Sequence, residues 1–381
     1  MRWSFVLSLG LIACGASAPV ASKAPETHLV TANQIVTQND DSSEPELFKR
    51  AQRELLDGDY LGAKRDFETL LAAGPSPKIL PMVLFDLGNV YEALGERDRA
   101  RDAYHTVAGK FPELPVARAA LLRVVWLHAY LEEWKELGET AEALLARADL
   151  DPLGRATALG ARGLSRVEQG DEALAQRDVQ SGLDLVDELG LGRSGRLPPA
   201  GAQLKFALAE VRRVSTERIA LQPVGPDFVA RVSARCQGLL DAQSAYGDAM
   251  RSEDPHWATM SGYRLGAMYR QLHRELMSIP PDAFAKTEHQ RQVFYGIMHV
   301  RYRALLDKAL IMLNTTLDVA DKTGDTSSGV ARAREAKTEM DQALAEEKAA
   351  LAKLPFTEGE LERALQIMQE KAEKAAYSHA R

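Results

Sequence analysis

The 381 residues carry 47 basic and 54 acidic side chains, a formal charge of −7, with 45% hydrophobic content. That acidic balance, and the lack of any basic run interleaved with aromatics, argues against nucleic-acid binding. Length allows one large array or two modules, and the apolar content is ample for a core.

The chain opens on MRWSFVLSLGLIAC, one basic residue ahead of a short apolar run from Phe5 to Ile12. This predicts a secretory signal over residues 1–13, too short to span a bilayer. Leu11-Ile12-Ala13-Cys14 resembles the lipobox of bacterial lipoproteins. The resemblance implies cleavage before Cys14 and acylation of that cysteine, with several acyl chains (amide-linked palmitate or similar) giving durable attachment. Gly15 stands where retention in the inner membrane takes an aspartate, which implies the outer membrane, facing the periplasm. An ordinary signal peptide with an accidental cysteine is the competing reading. The remainder of residues 14–42 is small and polar and reads as a flexible tether, with an end-to-end distance of about 30 Å. No apolar run of 18 residues occurs, so lipid is the one membrane attachment the sequence offers.

Residues 43–189 repeat one cycle. Its clearest copy is Leu84, Leu87-Gly88, Tyr91, Gly95, Ala100, Tyr104, Val107 and Pro112. A weaker copy before it has Leu47, Ala51, Gly58-Asp59-Tyr60, Ala63, Phe67 and Leu70, opened by a Ser43–Glu46 capping box. Two more come after it: Leu121, Val124-Val125, Trp134, Leu137 and Ala141, then Leu159, Gly163, Gly170, Ala175 and Val179. Turn positions fall near 58, 95, 132 and 170.

In order and spacing the cycle resembles the tetratricopeptide repeat, with Leu84 in place of the usual tryptophan. The resemblance implies antiparallel helix pairs that cannot bury their faces alone and stack into a binding surface. It assigns helix packing to Gly58, Ala63, Gly88, Tyr91, Gly95, Ala100, Tyr104, Pro112, Gly163, Gly170 and Ala175. In that family the first helix of each pair lines the peptide groove. Carried over by position, the groove residues are Phe48, Gln52, Phe85, Asn89, Trp126 and Tyr130, and the same aromatics could instead pack between helices. Asn89 and Arg123 match two positions of the clamp with which some members hold a C-terminal carboxylate. Phe48, Asp86 and Ala119 stand at others, so that clamp is incomplete.

Residues 190–202 (GLGRSGRLPPAGA) have the glycine and proline content of a connection. Their G-x-G-x-x-G spacing follows a helical run and precedes two prolines, so it reads as a loop and not as a dinucleotide fingerprint. Residues 203–381 form a C-terminal helical domain. Helical periodicity runs through Phe228–Leu240, Trp257–Leu276, Glu288–Asp321 and Gly329–Leu354. Pro280-Pro281 ends the second run, and Thr357 and Glu360 offer a capping box for a last helix. The expected fold is all-α: a tetratricopeptide-type α-solenoid of about four helix pairs, then a longer-helix bundle or divergent repeats.

No zinc helix, serine elbow or phosphate loop is present, and no metal or cofactor is expected. His256, His273, His289 and His299 lack ligand spacing and read as core or solvated residues. Cys236, in phase with Val232 and Leu239, reads as a buried apolar residue. The expected function is a non-catalytic, lipid-anchored periplasmic adaptor that binds partner proteins in a bacterial envelope complex, for trafficking, secretion or surface motility. One alternative is an outer-membrane β-barrel assembly lipoprotein. The other is an envelope enzyme with a site around Asp254, His256, Trp257 and Tyr263.

Overall fold

A computed structural model describes residues 31–32, 45–190, 199–251 and 254–379. The signal sequence, Cys14 and Ser43 lie outside these residues, as do most of the tether and most of the glycine-rich connection.

Among the described residues, eight helices between residues 46 and 188 form four antiparallel pairs: α1 Glu46–Asp57 with α2 Tyr60–Ala72, and α3 Leu80–Ala93 with α4 Arg97–Lys110. The pattern continues with α5 Pro115–Leu131 and α6 Trp134–Leu145, then α7 Pro152–Glu168 and α8 Glu172–Glu188. The second helix of each pair packs on the first helix of the next pair, and α1, α3, α5 and α7 lie side by side as one layer. That arrangement is an α-solenoid.

The turns explain why each pair folds back so tightly. Gly58, Gly95 and Gly170 have φ of 82°, 76° and 88°, the left-handed region open to glycine. The equivalent turn of the third pair is made by Glu132, at φ 60°. A side chain in that region costs about 1 kcal/mol, so Glu132→Gly is expected to raise the melting temperature by about 2–4 °C. A lowered melting temperature would mean that contacts of the Glu132 side chain outweigh the strain.

Ala63, Ala100 and Ala175 are fully buried. A Cβ on Gly88 would lie 2.6 Å from the Tyr104 ring, and one on Gly163 would lie 2.6 Å from Val179. Tyr91 is buried, donates to Glu68 at 2.9 Å and lies under the Arg99 guanidinium. Pro112 is exposed between α4 and α5, its carbonyl accepting from Arg147 at 2.8 Å.

Ion pairs join successive second helices. Lys64 of α2 meets Glu96, at the start of α4, at 2.7 Å. The same relation returns one repeat later, where Arg101 of α4 meets Glu133, at the start of α6, at 2.5 Å.

Helix α9, Pro199–Glu217, begins inside the stretch read as a connection. The chain divides into two compact units between residues 207 and 208, within this helix and a few residues past the boundary the composition suggested. The earlier unit takes in Leu204, which packs against Gly160 of α7 and Gly182 of α8. The later unit holds α10 Phe228–Met250, α11 Pro255–Met277, α12 Glu288–Thr323, α13 Ser328–Ala352 and α14 Glu358–His379. A short 3-10 turn, Pro281–Ala283, separates α11 from α12. These helices run from 22 to 36 residues, against 12 to 17 in the solenoid, so the later unit is the longer-helix bundle. Thr357 and Glu360 form the expected reciprocal cap, with backbone donors at 2.8 and 3.4 Å.

Several buried charges inside this second unit are paired. Glu210, fully buried, meets Arg213 at 2.5 Å, Arg264 at 3.4 Å and the Tyr246 hydroxyl at 2.5 Å. Glu347 of α13 ties His273 of α11, at 3.2 Å, to His299 of α12, at 2.5 Å. Two of the four histidines noted in the sequence thus share one carboxylate. His256 stands edge-on to Trp257 and His289 lies beside Phe356.

Candidate peptide-binding surface

The first-helix layer carries the residues assigned to a groove, and the structure sorts them into three roles. Phe48 and Phe85 are almost fully buried. Phe48 packs edge-on against Phe67 of its own pair, and Phe85 lies tilted against Tyr104 of its own pair. Both serve the interior, which corrects the expectation that they line an open face. Each first helix in a stack has neighbours on several sides, so an aromatic at these positions is buried by its own partner helix.

Gln52, Asp86 and Asn89 form a polar cluster across α1 and α3, all three buried. Gln52 Nε2 donates to Asp86 Oδ2 at 2.7 Å, and Asn89 Oδ1 accepts from the Tyr104 hydroxyl at 2.7 Å. The other Asp86 oxygen, Oδ1, accepts the backbone N–H of Ala32 at 2.8 Å. Burial pushes the Asp86 carboxyl up to about 7, with hydrogen bonds from Gln52, Ala32 and Asn89 pulling the other way. Thr31 and Ala32 are themselves buried, and Ala32 shares the apolar cluster that contains Phe48 and Phe85. Two residues of the stretch read as tether therefore pack into the first repeats.

The third role belongs to Trp126, Tyr130 and Arg123 on α5. Trp126 is half-buried, and its ring centroid lies 5.2 Å from that of buried Tyr130. The Arg97 guanidinium stacks on Tyr130 at 4.0 Å, and Arg123 lies 5.6 Å from the Trp126 ring. Arg123 also pairs with Glu92 at the end of α3. That carboxylate already takes up the guanidinium that a carboxylate clamp would need, and Asn89 is engaged by Tyr104. What stays accessible is an aromatic and cationic platform suited to apolar or anionic side chains of a peptide.

Sequence reasoning named Asp86 only as a departure from the clamp, and passed over Thr31 and Ala32. The apolar residues flanking them in HLVTANQIV were the one available signal.

The residues considered for an enzyme in the second unit have structural partners. Asp254 caps α11 by accepting the Trp257 N–H at 3.1 Å, and burial pushes its carboxyl up to about 6. Tyr263 lies under Arg332 at 5.7 Å. Cys236 is half-buried, and desolvation raises its thiol above the ordinary range. Among the described residues no group of three or more His, Cys, Asp or Glu is placed to hold a metal, and no helix is long and apolar enough to cross a membrane.

No family model matches the chain, and no curated protein matches it. Among solved structures, a tetratricopeptide repeat protein from Parabacteroides merdae aligns with 78% of this chain and 98% of that one, at 12% identity and a TM-score of 0.42.

Proposed function

We propose that this chain is a non-catalytic scaffold for protein partners, anchored to a bacterial envelope membrane by lipid on Cys14 and facing the periplasm. The observation that carries the scaffold reading is the continuous layer of first helices, with the half-buried Trp126 on it beside Arg123 and Tyr130. Stacked pairs of this kind create extended binding surfaces, and a tryptophan beside a guanidinium group is a strong anchor for a peptide. The anchor itself rests on the sequence alone: the apolar run from Phe5 to Ile12, and the lipobox-like Leu11-Ile12-Ala13-Cys14.

One experiment tests both halves. Whole-cell crosslinking followed by purification is carried out on the native chain, Cys14→Ser and Trp126→Ala. Cys14→Ser is expected to move the protein from the membrane to the soluble fraction; retention in the membrane would sink the lipid anchor. Trp126→Ala is expected to lose specific crosslinked partners at least tenfold, the effect of removing about 1.4 kcal/mol or more of binding. Trp126 is chosen over Tyr130 because the latter is buried and its removal would disturb the fold. An unchanged set of crosslinks with an unchanged melting curve would remove this platform from the binding surface.

A further inference from the structure

We propose that His105 and His128 form a binding site for a divalent transition-metal ion such as zinc, at the joint between the second and third helix pairs. His105 lies on α4 and His128 on α5, and their Nε2 atoms stand 3.1 Å apart.

That separation suits a shared cation. Two imidazole nitrogens bound to one metal at ~2.0–2.1 Å lie ~2.8–3.4 Å from each other, for angles between a right angle and the tetrahedral one. The observed 3.1 Å falls inside this range. Only one N–H fits between two such nitrogens. A proton therefore bridges the pair when no metal is there, and a metal takes its place by binding both lone pairs.

The site also needs its rings aimed, and Glu133 does this for His128. Glu133 Oε2 lies 2.6 Å from His128 Nδ1. A carboxylate accepts only, so Nδ1 carries the proton and Nε2 turns its lone pair towards His105. The same carboxylate–imidazole pairing fixes tautomer and ring direction in metal sites and makes the ligand nitrogen more basic. Glu133 is itself held in place: its backbone N–H donates to the His128 carbonyl at 2.9 Å, and its Oε1 meets Arg101 at 2.5 Å. Arg101 also pairs with Asp98 and Asp102, so its charge beside the site is shared among carboxylates.

His128 is buried whereas His105 is exposed, so an ion enters from the His105 side. Among the described residues no third His, Cys, Asp or Glu is placed to bind the same ion. Water completes the coordination. Two imidazoles select zinc, copper or nickel over calcium and magnesium, which take oxygen ligands. The bound ion clasps α4 to α5.

Calorimetric titration of the chelator-stripped full chain with zinc chloride at neutral pH tests the site. The native chain is expected to bind one zinc ion that His105→Ala binds at least about tenfold more weakly, while the two melt alike without metal. Nitrogen NMR of the histidine side chains in the native chain gives a readout that needs no variant. Zinc chloride is expected to shift the His105 and His128 resonances together.

Equal zinc binding by the native and His105→Ala chains overturns the proposal. So do spectra in which either ring fails to respond. Neither readout depends on Trp126 or on any envelope partner, so the scaffold reading and this site fail separately.

Discussion

Glu210→Leu is expected to destabilise the second unit by about 3–5 kcal/mol at neutral pH. The reason is what the substitution leaves behind. Glu210 is fully buried between Arg213, Arg264 and the Tyr246 hydroxyl, drawn from α9, α11 and α10 respectively. Leucine fills the volume, but two guanidinium groups lose their shared counter-charge and a buried phenol loses its acceptor. Arg213 keeps Glu217 at 2.7 Å, which softens its share of the loss. Burial alone would raise the Glu210 carboxyl; the Arg264 and Arg213 guanidiniums reverse this and hold it below the usual carboxylate range.

That depression sets the sign of the pH dependence. A depressed folded-state value means the contribution is fully present above the unfolded value of about 4.3 and is lost as pH falls below it. Urea titrations of the native chain and Glu210→Leu, at pH 7 and near pH 3, should therefore show a gap that narrows at the lower pH. A gap that is small at pH 7, or that widens in acid, would falsify the assignment of Glu210 as the centre of this charge network.

Gly88→Ala is expected to cost about 2–3 kcal/mol, although alanine is the better helix former. A Cβ at this position meets three carbons of the Tyr104 ring at 2.6, 2.7 and 2.9 Å. The ring cannot swing aside: it is fully buried, rests against Phe85 with centroids 5.3 Å apart, and is held by its hydroxyl on Asn89. Helices α3 and α4 must then move apart, and the neighbouring pairs lose contact on both sides. Gly109→Ala is the control. That glycine is exposed near the end of α4, where an added methyl would have nothing within 4 Å, so the change should gain up to about 1 kcal/mol. Chemical denaturation that finds the two changes equivalent would show that the pair is not packed on Gly88.

Much of the fold was legible because the turns and close approaches demand particular residues. Gly58, Gly95 and Gly170 mark three of the left-handed turns, and Gly88 with Tyr104 marks a close approach, so the resemblance of the repeated cycle to a known repeat placed the pairs. The long helices were legible from periodicity, with Pro280-Pro281 and Thr357 setting ends close to those observed. The surface was harder to read. A solenoid helix is covered on several faces, and periodicity does not say which covered face an aromatic enters. Phe48 and Phe85 are therefore buried where a groove was expected, whereas Trp126 keeps some exposure. The Ala32–Asp86 contact left almost no trace in the sequence, because its donor is a backbone amide that every residue but proline carries. The division within α9 was displaced for a related reason: a helix continues through it, so composition shifts before the packing does.

The paired bonds Lys64–Glu96 and Arg101–Glu133 occupy the same place in two successive repeats, 37 residues apart, and each side chain keeps some contact with solvent. Each is worth little to stability, yet each resists the same relative movement of neighbouring second helices. Acting in series, they set a bending stiffness that dissolved salt lowers at both joints together. Ionic strength thus loosens both of these joints of the array together.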